Sequence, residues 1–189
     1  MIFGSFLLGV NEANAHLVGC EETHDALLVD IGERNAMIED FLDEHALVLR
    51  QVFITHAHFD HTGGLRELAA HHHAEILAGA DKVLGLRARR LAHGEEVRIG
   101  TIVGRAAQTE GHTADSISLI LPGSPGMVFT GDALFAGSVG GTSSPEAAKR
   151  EIDAIRNRIL SLPDDYEIFP GHGPATTVSI EKYHNPFFA

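Results

Sequence analysis

The chain has a single cysteine, Cys20, in 189 residues. That excludes an internal disulfide and any cysteine-built metal cluster, leaves Cys20 to be read as a small buried residue, and fits a reducing cytoplasm. Basic residues are also scarce: 14 Lys and Arg stand against 26 Asp and Glu, a net charge of −12. A field of that sign repels phosphate backbones, and no basic run interrupts it, so nucleic acid is not an expected partner. Long apolar runs are missing. Nothing approaches the ~20 residues of a membrane span, and the apolar start MIFGSFLLGV lacks the basic region and small-residue cleavage site of a secretory signal. No linker or low-complexity segment divides the chain, and its 44% hydrophobic content suffices for a full core. One soluble, cytoplasmic domain over residues 1–189 is expected, with no membrane partner.

What is present is an alternation of short apolar runs with helical patterns, the signature of an α/β fold. Ile2 to Leu8, His16 to Val18 and Ala26 to Asp30 read as early strands, followed by a turn at Gly32 and a helix from about Asn35 to Glu44 with Met37, Ile38, Phe41 and Leu42 inward. Val48 to Thr55 is apolar on both faces, as a buried central strand should be. Leu65 to His72 has helical composition, and three further strands are expected at Val97 to Gln108, Ser116 to Leu121 and Met127 to Thr130. Ser144-Pro145 offers a helix cap with proline at the first turn, and Ala148, Ile152, Ile155 and Ile159 form one apolar stripe ending before Pro163. Tyr166 to Phe169 is a last short strand. The order suggests two similar βα halves dividing near residue 100, without a visible sequence repeat.

Against this background the stretch THAHFDHTGG, residues 55–64, places His56, His58, Asp60 and His61 directly after the central strand. Loops at the carboxyl ends of strands are where α/β proteins hold ligands, and neutral imidazole and carboxylate oxygen suit zinc, iron or manganese. A solvated polar turn is the bland alternative. Three more strands end in a possible ligand: Gly111-His112-Thr113, Gly131-Asp132 and Gly171-His172-Gly173. Each alone is an ordinary loop residue. Together they supply five histidines and two aspartates, enough for two adjacent ions sharing a carboxylate and a water.

The pattern His56-x-His58-x-Asp60-His61, then His112, Asp132 and His172, resembles the metallo-β-lactamase superfamily. The flanking words Thr109-Glu110-Gly111-His112-Thr113, Gly131-Asp132-Ala133-Leu134-Phe135-Ala136-Gly137, Pro170-Gly171-His172-Gly173-Pro174 and Asn185-Pro186-Phe187 are similar to glyoxalase II-like (hydroxyacylglutathione hydrolase-like) enzymes. The resemblance implies a four-layer αβ/βα sandwich with its site along one sheet edge. It implies that His56, His58 and His112 hold one divalent transition metal, that Asp60, His61 and His172 hold a second, and that Asp132 bridges them. Zinc is the expected ion, with iron or manganese as alternatives. The implied chemistry is attack by metal-bound hydroxide on a carbonyl carbon, Asp60 orienting the nucleophile or taking its proton.

The implied activity is that of a metal-dependent hydrolase acting on a small-molecule thioester, with lactone or other ester cleavage as an alternative. A rival from a different reaction class is a persulfide dioxygenase-like protein with a single iron on His56, His112 and Asp132. Only 17 residues follow His172, so the helical extension with which full-length glyoxalase II enzymes hold glutathione is not expected here. Where that family usually has Gly-Arg after the bridging aspartate, this chain has Gly140-Gly141-Thr142; Gly137, Gly140, Gly141 and Thr142 are candidates for close backbone approach to substrate. His71-His72-His73 reads as a solvated helix end, since neighbours on a helix diverge by about 100°. Arg87 to Arg90 reads as a surface helix, and His16, His24, His45, His93 and His184 as structural.

Overall fold

The computed structural model describes residues 1–189. Its first half builds a six-stranded sheet from β1 (Ile2–Leu7), β2 (Asn14–Gly19), β3 (Asp25–Val29), β4 (Val48–Ile54) and β5 (Glu75–Ala78), with α1 (Ala36–Glu44), α2 (Phe59–Thr62) and α3 (Leu65–His72) between them. After a short hairpin of β6 (Lys82–Val83) and β7 (Leu86–Arg87), β8 (Arg89–Arg90) closes the edge, giving the order β1-β2-β3-β4-β5-β8. The second sheet uses β9 (Glu96–Ile99), β10 (Ile102–Gln108), β11 (Ile117–Leu121), β12 (Met127–Gly131), β15 (Glu167–Pro170) and β16 (Thr176–Thr177), in the order β16-β15-β12-β11-β10-β9. A separate hairpin, β13 (Leu134–Phe135) and β14 (Ser138–Val139), follows β12, and α4 (Pro145–Arg158) and α5 (Val178–His184) complete the chain. No helix is long and apolar enough to cross a membrane.

Three apolar clusters define four layers. Ile38, Leu42, Leu65 and Leu68 of α1 and α3 pack on Leu17, Leu28 and Leu49 of the first sheet. Val29, Phe53 and Leu77 meet Val97, Leu119 and Phe129 between the sheets. Ile155 and Ile159, on α4 and at its end, with Val178 of α5, cover Val128 and Ile168 on the far face. Both faces of β4 are thereby buried over Val52 to Ile54, where its sequence shows no alternation, while Val48 and Arg50 at its start are exposed. The αβ/βα sandwich and the division into two halves are as expected: the first sheet ends at Arg90 and the second begins at Glu96.

Several local expectations are corrected. Val97 to Gln108 is a hairpin, not one strand, because Gly100, at φ +57, reverses the chain between Ile99 and Ile102. Arg87 to Arg90 is extended rather than helical: Leu84 and Gly85 both take positive φ and fold Leu86 back on Val83, after which Leu77 and Ala78 pair with Arg89 and Arg90. Met37 points to solvent, while Asn35 caps α1 by accepting from the Met37 N–H at 2.8 Å. Ser144 caps α4 as predicted, accepting from the Ala147 N–H at 3.2 Å. The buried line of that helix, however, runs through Ala147, Glu151, Ala154 and Ile155, so Ala148 and Ile152 are only half-buried.

Candidate metal centre

Strand pairing gathers the polar ends of five strands at one edge. Parallel pairing of β3 with β4 aligns Val29 with Phe53, leaving Asp30 beside Thr55 and His56. Parallel pairing of β12 with β15 aligns Gly131 with Pro170 and sets Asp132 beside His172. The sheets are joined at this edge by a bridge between Ala13 and His172 and by Ile117 N–H donating to the Thr55 carbonyl at 2.9 Å. Gly131, at φ +52, lies so close to Thr55 that a Cβ would stand 2.5 Å from Thr55 Cβ; no other residue fits the junction.

The seven predicted residues come together in two adjacent groups. Donor atoms of His56, His58, His112 and Asp132 lie within 4.8 Å of one another, and so do those of Asp60, His61 and His172. His58 Nδ1 is 3.0 Å from the Nε2 atoms of both His56 and His112. Asp132 lies between the groups, its Oδ1 3.3 Å from His61 Nε2 and its Oδ2 3.6 Å from His112 Nε2 and 3.7 Å from His172 Nε2. His172 Nε2 is 3.4 Å from Asp60 Oδ2, which also accepts from the Asn11 side-chain amide at 3.1 Å.

Outer hydrogen bonds determine which imidazole nitrogens present lone pairs inward. The Gly141 carbonyl can only accept, so His112 Nδ1 donates to it at 2.7 Å and Nε2 is left bare. His61 Nδ1 donates to Asp30 Oδ2 at 2.9 Å. The Thr55 hydroxyl donates to the same Asp30 oxygen at 2.7 Å, and its own oxygen accepts from His56 Nδ1 at 3.0 Å. The Nε2 atoms of His56, His61 and His112 therefore turn inward toward Asp132, and His61 Nε2 and Asp132 Oδ1 are buried without a hydrogen-bond partner. Such a convergence of acceptors is unfavourable unless a cation occupies it. The donor set, imidazoles and carboxylates with no thiolate, suits a divalent transition metal.

The protonation equilibria carry the same demand for positive charge. Burial opposes the His61 imidazolium, yet the charges of Asp30 and Asp132, with the Asp30 hydrogen bond, outweigh it and raise its pKa to about 10. Burial, followed by the neighbouring His61, lowers His56 to about 4. Asp132 is held below the ordinary carboxylate range: burial works against its charge, but His61, His56 and His172 prevail. Asp60 is lowered similarly, against burial, by Asn11, His61 and His172.

Residues 8–172 match the family model described as the Metallo-beta-lactamase superfamily. The chain belongs to that superfamily. Within it, the chain is similar to the hydroxyacylglutathione hydrolase GloC of Haemophilus influenzae, at 30% identity over 93% of this chain and 92% of that protein. It is also 30% identical to the hydroxyacylglutathione hydrolase of Chromohalobacter salexigens over 77% of this chain, but 56% of that protein. This chain thus spans about half the length of several of the curated relatives it matches. Among solved structures, ETHE1 from Myxococcus xanthus superposes with a TM-score of 0.85 and 32% identity, covering 98% of this chain and 84% of that one. The superfamily fold implies divalent metal binding, in agreement with the donor set.

Several residues of this metallo-beta-lactamase site were not singled out in the sequence. Asp30 is buried and left-handed at φ +58, and it receives Thr55 N–H at 2.8 Å as well as the two bonds above. Its signal was available, since it ends a strand as Asp132 does. Glu151 accepts from the His112 N–H at 3.1 Å; burial pushes its pKa up to about 7, against that bond and with help from the Asp132 charge. His16 and Asn14 hold the Pro170 carbonyl ahead of His172. Glu181 accepts from Gly137 N–H at 2.9 Å and Asn185 donates to the Ser138 carbonyl at 3.1 Å, fastening the hairpin after Asp132 to α5. Of the candidate substrate-loop residues, Gly137 and Gly140 are thus engaged by protein, Gly140 N–H donating to the Ala133 carbonyl at 3.2 Å, and Gly141 holds His112. Gly141 is exposed and Thr142 half-buried.

Proposed function

We propose that this chain is a dinuclear metallohydrolase that cleaves a thioester in the manner of the glyoxalase II-like enzymes. The observation that carries the reading is the position of Asp132 between two complete donor groups, one built on His56, His58 and His112 and the other on Asp60, His61 and His172. Divalent cations held by these residues supply Lewis acidity toward a carbonyl oxygen and bring the ionisation of water toward neutral pH. The chain's own part is orientation. Asp30, Thr55 and Gly141 aim the imidazoles, and Asn11 fixes one oxygen of Asp60, whose carboxylate orients the attacking water or takes its proton. Gly141 and Thr142 form the rim by which a small substrate enters, without the arginine usual at that position. Similarity to GloC, which the chain matches over nearly its whole length, supports a thioester of the hydroxyacyl type; a lactone or simple ester asks for the same chemistry.

A second reading, a persulfide dioxygenase-like enzyme with one iron on His56, His112 and Asp132, draws support from the structural likeness to ETHE1. It leaves the convergence of Asp60, His61 and His172 without a purpose. Elemental analysis of protein purified without chelators, combined with assays on lactoylglutathione, simpler thioesters and a lactone, tests both. Two metals per chain with thioester cleavage is the expected result. One iron with oxygen uptake on a persulfide establishes the second reading, and protein without transition metal removes both.

A further inference from the structure

We propose a separate, peripheral transition-metal site formed by Glu39 of α1 with His71 and His72 at the end of α3. One donor atom from each residue lies within 4.8 Å of the other two. His72 Nε2 is 3.0 Å from Glu39 Oε2, and the His71 and His72 rings meet edge to face with centroids 4.8 Å apart. Consecutive helical side chains ordinarily diverge by about 100°, the reason this pair looks unsuited to chelation in the sequence. Here the helix is ending: His73 takes the left-handed conformation at φ +53, and both preceding imidazoles converge with the neighbouring helix.

A second observation points to a cation. Glu39 Oε1 is shielded from solvent and has no hydrogen-bond partner, while its other oxygen meets His72 rather than a lysine or arginine. An unpaired carboxylate oxygen withdrawn from water is costly. An ion shared with the two imidazoles removes that cost. Two imidazoles and one carboxylate, with water as a fourth ligand, are a donor set for Zn²⁺ or Ni²⁺. With donor distances of about 2.1 Å, tetrahedral donors stand about 3.4 Å apart, so donors that lie within 4.8 Å of one another close up around an ion by adjustment of His71. Its exposed side chain is free to move. The ion would tie α1 to α3 on the outer layer, apart from the residues assigned to the catalytic centre.

The test is calorimetric titration of Zn²⁺ into protein already carrying its full complement at the centre, near pH 7.5 where free imidazole is neutral. Wild type is expected to take up one further equivalent, with a zinc-dependent rise in Tm. In His71→Ala, His72→Ala and Glu39→Gln the affinity falls at least tenfold and the rise in Tm disappears, while the metal content of the centre is unchanged. Because His71 is exposed, its variant reports on binding without a folding defect. No further equivalent in wild type, or one of unchanged affinity in the His71→Ala and Glu39→Gln variants, overturns the proposal.

Discussion

Lowering the pH from 7 to 4 is expected to remove about 3 kcal/mol of stability through one buried side chain, His16. Its ring, 3% exposed, is enclosed by Phe3, Phe129 and Phe169 at centroid distances of 6.2, 5.4 and 5.6 Å. The Pro170 carbonyl can only accept, so Nε2 donates to it at 3.2 Å, and Nδ1 accepts from the Ser5 hydroxyl at 3.0 Å. Neutral imidazole satisfies both partners. A second proton would place a full charge in this aromatic environment away from water, and burial accordingly lowers the pKa to about 4, against the Pro170 bond and the Asp30 charge. In the unfolded chain the ring titrates near 6.5. Between these values the unfolded state binds a proton that the folded state refuses, so the stability is whole above 6.5 and drains as pH falls toward 4. At ~1.4 kcal/mol per pKa unit the gap amounts to about 3 kcal/mol. The assay is urea unfolding of wild type and His16→Gln at both pH values. His56 has a similarly lowered pKa but is present in both proteins and cancels from the comparison. The stability difference should move by about 3 kcal/mol in favour of the glutamine variant at pH 4; a difference constant within ~0.5 kcal/mol refutes the argument.

Gly171→Ala should abolish metal binding and activity without unfolding the chain, because its Cβ would press on Asp132 Oδ1 and stand 2.7 Å from His61 Cε1; elemental analysis reads the loss directly. Asp30→Asn removes the charge that orients His61 and should weaken metal affinity ~10–100-fold, measured by competition with a chromogenic chelator; unchanged affinity would remove Asp30 from the positioning scheme. After chelator treatment His61, raised to about 10, should contribute stability that is whole below 6.5 and lost as pH rises toward 10. Thermal melts at pH 7 and 10 should show this alkaline loss in stripped protein and not in metal-loaded protein, and an equal loss in both would contradict it.

The strand-end histidines and aspartates were legible because chemistry of that kind needs residue types that composition and spacing display. Asp30 followed the same rule but stood alone, with no second histidine nearby to draw attention. Glu151 was hidden for a different reason. An apolar stripe read at spacings of three and four has an angular uncertainty of a fraction of a turn, and the true buried line runs one residue away from Ala148 and Ile152, through the carboxylate. The hairpin at Gly100 and the extended run at Arg87 to Arg90 were misread because the reversals depend on positive-φ residues whose conformation is set by what packs around them.

By itself the sequence determined the α/β class, the two-half order and a set of seven candidate donors, since burial and metal-ligand chemistry are written in residue type and local period. The tertiary structure decided that those residues meet at all, in two groups about Asp132 as the family resemblance implied, because parallel pairings of β3 with β4 and β12 with β15 join residues far apart in the chain. It also decided which nitrogen each imidazole turns inward. That depends on a single accepting oxygen from another strand or loop, at Asp30, Thr55 or Gly141, and no local pattern records it.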